Sequence, residues 1–236
     1  YLLLAASLLI GVITTCLGPN PEGHIIPPQS LREAILEPFT DYFKRRGAFE
    51  ILAFVVLYKI GDVMAANMAT PFILKIGFTK TDLAVIAQTF GIFATVAGSL
   101  IGGILMIRIG IHRSLWIFGI LQAVSTLSFS ALDSIGAYYS LLISTITFEN
   151  LTSGMGVSAF TAFMASLCNK RFTATQYALL SSLMGVPRTI VSSPTGYLAG
   201  YLGWTYFFIF CAAAAIPGLI FLFRYRVWQG ESSPLE

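Results

Sequence analysis

Four ionisable residues, Lys59, Asp62, Glu149 and Arg188, sit inside stretches of sequence that are otherwise almost wholly apolar. A charge at the centre of a bilayer costs at least ~2.5–3.5 kcal/mol on insertion scales, so such residues are kept where they pair or meet a proton or a ligand. Lys59 and Asp62 are spaced i, i+3 and share a helix face, where each can neutralise the other. Glu149, followed by Asn150, Thr152 and Ser153, is a candidate proton carrier. Arg188 stays charged at any physiological pH and can balance Glu149 or bind an anionic group of a substrate. Tyr58 and Asn67 add polarity to the Lys59 helix, and Gln88 does so in the next one. Two readings stay open for these groups: pairs that lock helices together, or a path for substrate and ions.

The elements that must position them are membrane spans. Of 236 residues, 56% are hydrophobic and 11% charged, against roughly 25% charged in a soluble domain. The mean hydropathy is +0.79. A water-soluble fold of this size cannot hide so much apolar surface, so lipid is the solvent. Six full spans are expected at Ile51–Leu74, Asp82–Ile107, Ser114–Leu132, Ala137–Leu167, Gln176–Leu202 and Thr205–Phe223. The apolar run 1–17 reads as the end of a preceding span. Residues 18–50 read as a loop with an amphipathic helix over Ser30 to Phe43, lying on the membrane surface and ending in the basic run Lys44-Arg45-Arg46. Residues 224–236 form a tail.

Loop charges support this division. Ten Lys and Arg fall in the loops of one side and two in those of the other, which places the 18–50 loop and the C-terminus in the cytoplasm by the positive-inside rule. The net charge of +3 comes from these loop residues and implies membrane orientation, not a nucleic-acid partner. All four intramembrane charges lie within about four residues of the middle of their span, or about 6 Å of helix rise. Gly98-xxx-Gly102, Gly154-xxx-Ser158 and Gly196-xxx-Gly200 have the spacing that lets helices approach closely. Gly154 and Gly156 offer a flex point in the long fourth span, and Pro187 and Pro194 can break the fifth around Arg188.

Other chemistry is sparse. Cys16, Cys168 and Cys211 are far apart, and His24 and His112 fall in loops, so no metal site, disulfide framework or Ser–His dyad is expected. No GxxxxGK[ST] phosphate loop is present. Neither an enzyme nor a resident cofactor is expected.

The six full spans divide into two triplets, each of odd number and so inverted relative to the other. Asp62 and Glu149 fall at nearly matching positions in the first helix of each, as an inverted repeat with a mid-membrane site would give. The segment from Gly102 to Arg113, with Gly103, Arg108, Gly110 and Arg113, resembles the conformational loop signature of major facilitator transporters, although Ile107 and Ile111 stand where charged residues are usual. Three longer stretches, Leu57–Asp62, Phe148–Gly156 and Leu167–Ser181, resemble the AmpG muropeptide permease family. That resemblance implies an all-α integral membrane protein: the C-terminal six-helix bundle of a major facilitator fold, plus the end of helix six. It implies a proton-coupled importer of anhydromuropeptides, sugar-peptide fragments from cell-wall turnover, in the bacterial inner membrane. It also implies an N-terminal half as partner, and Lys59, Asp62, Asn67, Gln88, Glu149, Asn150 and Arg188 along the path. Relatives of that family include acetyl-CoA transporters, so another substrate is an alternative, as is a non-transporting membrane protein.

Overall fold

The computed structural model describes residues 2–18, 31–45, 47–169, 172–225 and 228. Among these every regular element is helical: α1 Leu2–Leu17, α2 Leu31–Lys44, α3 Ala48–Lys75, α4 Lys80–Ile86, α5 Ile92–Ile109, α6 Ile111–Ile135, α7 Tyr139–Leu167, α8 Thr173–Leu183, α9 Gly185–Leu202, α10 Trp204–Ala214 and α11 Ile216–Phe221. A π-helical turn, Ala87–Gly91, joins α4 to α5, and a 3-10 turn, Leu222–Arg224, follows α11. The fold is all-α, as expected. Most of the expected tail and the basic residue Arg46 lie outside the described residues.

By length and composition alone, the helical stretches Lys80–Ile109, Ile111–Ile135 and Trp204–Arg224 are long and apolar enough to cross a membrane. The helices α3 and α7 are of spanning length too, at 28 and 29 residues, about 42 Å each at the α-helical rise. Their lower apolarity comes from the polar groups they carry. The segment expected as one span at Gln176–Leu202 is two helices, broken at Met184. Pro187 has no N–H to give to the carbonyl four residues earlier, that of Leu183, and α8 stops at Leu183. Pro194 leaves α9 unbroken. Where a flex point was expected, at Gly154 and Gly156, α7 runs on as one helix.

Those glycines serve packing instead. A Cβ on Gly154 would lie 2.4 Å from the Thr95 carbonyl oxygen, and one on Gly98 would lie 2.1 Å from that of Leu151. Here α5 and α7 touch backbone to backbone. Gly61 on α3 and Gly218 on α11 do the same for a second contact, with Cβ positions 2.2 Å from the Cys211 oxygen and 2.5 Å from Tyr58 Cα. The third expected pair does not behave this way: Gly200 has no atom within 4 Å of its Cβ position, and Gly196 only the Met68 methyl at 3.8 Å.

Two apolar clusters fill the bundle, one toward each end. Phe54, Tyr58, Phe160, Phe163, Tyr225 and Trp228 dominate the cluster at the α2 end. Phe72, Phe129, Phe207 and Phe208 dominate the other. At the α2 end Glu50 accepts hydrogen bonds from Arg224 Nε (3.1 Å) and Nη2 and from Trp228 Nε1 (3.2 Å), and the His112 ring stacks on Tyr225 at 4.6 Å. At the far end Thr205 Oγ1 donates to Asp133 at 2.5 Å.

The α2 helix is docked on the protein. Pro38 and Tyr42 are buried, Leu36 and Phe43 point outward, and Arg45 is taken up by the protein. The Arg45 guanidinium donates to the Leu167 carbonyl at the end of α7, to Asp41 (2.8 Å) and to Gln176 (3.4 Å). Gln176, 1% exposed, donates to the Pro38 carbonyl (3.1 Å) and to Asp41 (2.8 Å), and accepts from the Asn169 N–H (2.7 Å). Partial burial works against the Asp41 anion, but the hydrogen bonds from Gln176 and Arg45 outweigh it and hold the carboxyl below its ordinary value of 3.8. Gln176→Ala is expected to cost α2 roughly 2–3 kcal/mol of local stability, read as faster amide exchange over residues 38–45. The pH sign follows from the lowered Asp41 value. Its contribution to docking is present above pH 3.8 and is lost as pH falls through the lowered range. Exchange in this segment that is indifferent to Gln176 would show that the helix is held by other contacts.

Candidate functional site

Between the two apolar clusters lies a polar belt at one depth. It is built from the middle turns of three helices: Lys59 and Asp62 on α3, Gln122, Ser125 and Thr126 on α6, and Glu149, Asn150 and Thr152 on α7. Each helix supplies aromatic or aliphatic residues above and below these positions, so the belt's depth is set by where the hydrophobic runs stop.

Lys59 is only 5% exposed, and its Nζ lies 3.2 Å from Asp62 Oδ2. Glu149 is half-buried and within electrostatic reach of both Asp62 and Lys59. Its Oε2 accepts from Asn150 Nδ2 at 3.3 Å. Asn150 also donates to the Ile146 carbonyl (2.8 Å) and accepts from Thr95 Oγ1 (3.1 Å). The Asn150 carboxamide packs on Gly91, where a Cβ would lie 3.4 Å from Nδ2. Asn150 therefore links the Glu149 carboxylate to Thr95 in the first turn of α5 and packs on the π-helical turn before it. A π turn adds one residue per turn and re-aims the side chains around it. Thr152 Oγ1 donates to Ser125 Oγ at 2.9 Å and ties α7 to α6.

The remaining expected residues are placed differently. Asn67 donates to Ser192 Oγ at 3.3 Å and joins α3 to α9, away from the Lys59–Asp62 pair. Gln88 is exposed within the π turn. Arg188 is exposed on α9 and, among the described residues, forms no ion pair with Glu149; its carbonyl accepts from Ser192 Oγ. A pairing of Arg188 with Glu149 therefore does not occur here. In the loop segment, Gly110 takes φ 81°, which a side chain would strain, and ends α5 while starting α6. Arg108 and Arg113 are exposed, and Gly103 has open space beside it. It is His112 that links this segment to the chain end, through Tyr225 and the Leu222 carbonyl at 3.1 Å.

The sequence reading missed Thr95, Gln122, Ser125 and Thr126. Their signal was their depth: uncharged polar residues level with Asp62 and Glu149 on neighbouring helices. Among the described residues no group of three or more His, Cys, Asp or Glu could hold a metal ion. The belt offers one ammonium and two carboxylates in low dielectric. With both carboxylates ionised its net charge is −1, and one bound proton neutralises it.

Comparison with known proteins bears on what this arrangement serves. An anhydromuropeptide permease of Escherichia coli (strain K12) is 43% identical over 223 residues, covering 94% of this chain and 45% of the relative. A Rickettsia conorii protein carrying the provisional name transporter AmpG 4 is 38% identical over 84% of this chain and 48% of its own length. A Haemophilus influenzae protein described as uncharacterised is 34% identical over 83% of this chain. The chain thus spans about half the length of the curated relatives it matches, and the resemblance to AmpG-type permeases read from Leu57–Asp62, Phe148–Gly156 and Leu167–Ser181 holds along nearly all of it. The profile of the Major Facilitator Superfamily matches residues 1–192, and with its helical bundle of apolar spans the chain belongs to that superfamily.

Proposed function

We propose that the chain forms one half of a proton-coupled transporter that brings anhydromuropeptides across the bacterial inner membrane into the cytoplasm, with its C-terminus on the cytoplasmic side. The observation that carries this reading is 43% identity along 94% of the chain to a protein named for that substrate. The polar belt supports the coupling. Asp62 and Glu149 share one cation, Lys59, so a single proton relieves their repulsion, and its loss restores a charged surface that favours a cationic or hydrogen-bonding group of substrate. Arg188, exposed on α9, is free to meet a substrate carboxylate. Asn67, Gln88 and Asn150 would serve as hydrogen-bonding supports along the path.

The test uses the intact transporter in energised membrane vesicles offered labelled anhydromuropeptide and labelled acetyl-CoA side by side. Accumulation of the first alone, abolished by collapsing the pH gradient, is expected. Glu149→Gln and Asp62→Asn are each expected to lower gradient-driven uptake at least about tenfold, a loss of roughly 1.4 kcal/mol of coupling. Intact uptake in both variants would sink the proton assignment; preference for acetyl-CoA would sink the substrate.

A further inference from the structure

The Lys59–Asp62 pair has a second, inward side. A cavity of about 10 Å³ opens beside it, between α3, α6, α10 and α11. Tyr58, Asp62, Gln122, Thr126 and Cys211 line it together with small apolar residues. Gln122 is 6% exposed, and its Nε2 makes no hydrogen bond within the protein. An unmade hydrogen bond on a buried amide costs about 1–3 kcal/mol. Its carboxamide oxygen is turned toward Gly156 on α7, where a Cβ would lie only 2.8 Å away. That glycine leaves room for the amide to sit beside the cavity. Tyr58 and Thr126 spend their hydroxyl protons elsewhere, on the Leu115 carbonyl (2.9 Å) and the Gln122 carbonyl (3.0 Å), and so offer only acceptor oxygens here.

We infer that this cavity is a binding site for one water molecule, held between the Gln122 amide and the Asp62 carboxylate. The volume matches a single water, which needs roughly 10–15 Å³ and two to four polar partners. The donor and acceptor inventory fits in one direction. Gln122 Nε2 donates to the water oxygen, and the water donates to Asp62, whose Oδ2 already accepts from Lys59 on the other side. Tyr58 and Thr126 oxygens can take the second water proton. Gln122 thereby becomes a positioning residue for Asp62, acting from a helix that carries no charge at this depth. The groups facing Asp62 are then Lys59 and Tyr58 from its own helix, Glu149 from α7, Cys211 from α10, and the water held from α6. The site's existence does not depend on the proposed transport; its consequence for proton movement through Asp62 does.

Radiolytic hydroxyl labelling of the intact transporter tests it, because radicals generated from a bound water modify the residues that touch it. Cys211 is 1% exposed, out of reach of bulk water, and lines the cavity. Labelling of Cys211 is expected in the wild type and in Gln122→Asn, which keeps the carboxamide donor. In Gln122→Met, an apolar near-isostere, it is expected to fall to background, while half-buried Cys168 labels equally in all three. An unlabelled Cys211 in the wild type, or equal labelling in Gln122→Met, overturns the site. The expected labelling pattern in a wild-type protein that takes up no anhydromuropeptide would count against the transport reading and leave the water in place.

Discussion

Gly98→Ala is expected to lower the stability of the purified protein by about 2–3 kcal/mol, the upper part of the range for overpacking. The reason is the identity of the obstructing atoms. The new methyl would sit 2.1 Å from the Leu151 oxygen and 2.9 Å from its carbonyl carbon, both backbone. A side chain could rotate away; a helix backbone moves only as a unit. Relief therefore requires α5 and α7 to separate, which would also stretch Thr95–Asn150 and the Ser158 hydrogen bond to the Ser99 carbonyl at 2.9 Å. Gly200→Ala is the control. It has open space, and exchanging glycine for alanine in a helix ordinarily stabilises by roughly 0.5–1 kcal/mol. Thermal melts in detergent should move in opposite directions for the two. Equal melting temperatures would mean that α5 and α7 are not in backbone contact.

Lys59→Met is expected to be the most harmful single change in the polar belt. Breaking a buried pair by removing one partner costs about 3–5 kcal/mol, because the other charge is left uncompensated. Here two carboxylates would be left, Asp62 and Glu149, with no cation between them. Asp62→Asn should cost less, since Lys59 can turn to Glu149. The double variant Lys59→Met with Asp62→Leu should recover most of the stability, because apolar replacement of a whole buried pair is often neutral. It should still fail in uptake. Melting and uptake measured on all three variants would separate a helix lock from a working site. A double variant that is stable and active would reduce the pair to a lock; a Lys59→Met protein as stable as the double variant would show that the pair is not buried as ions.

What could be read in advance followed from local spacing. The i, i+3 relation of Lys59 and Asp62 needs only one helix, and their pairing was legible. The depth match of Glu149 with Asp62 needed only span midpoints. The Arg188–Glu149 pairing was a statement about two helices, and depth alone does not say which way a helix is turned; α9 turns Arg188 outward. The same limit applied to glycines. Gly98, Gly102 and Gly154 meet a neighbour and Gly196 and Gly200 do not, although the spacing is identical. On α2 the amphipathic pattern was real, but periodicity cannot tell lipid from protein as the apolar partner, and Tyr42 faces protein. Gln122 and Ser125 were overlooked because single uncharged polar residues are common in membrane helices, and only their convergence at one depth distinguishes them.

The docking of α2 also changes the mechanics of what precedes it. If the whole segment between Leu17 and Ala48 were loose, thirty residues could stretch roughly 100 Å. With α2 fastened to the ends of α7 and α8, only thirteen residues separate α1 from a fixed anchor, so the covalent chain holds the two within about 45 Å whatever path it takes. A shorter bound raises the effective concentration of α1 near that anchor without any new contact surface. Gln176 and Arg45 thus set a length scale.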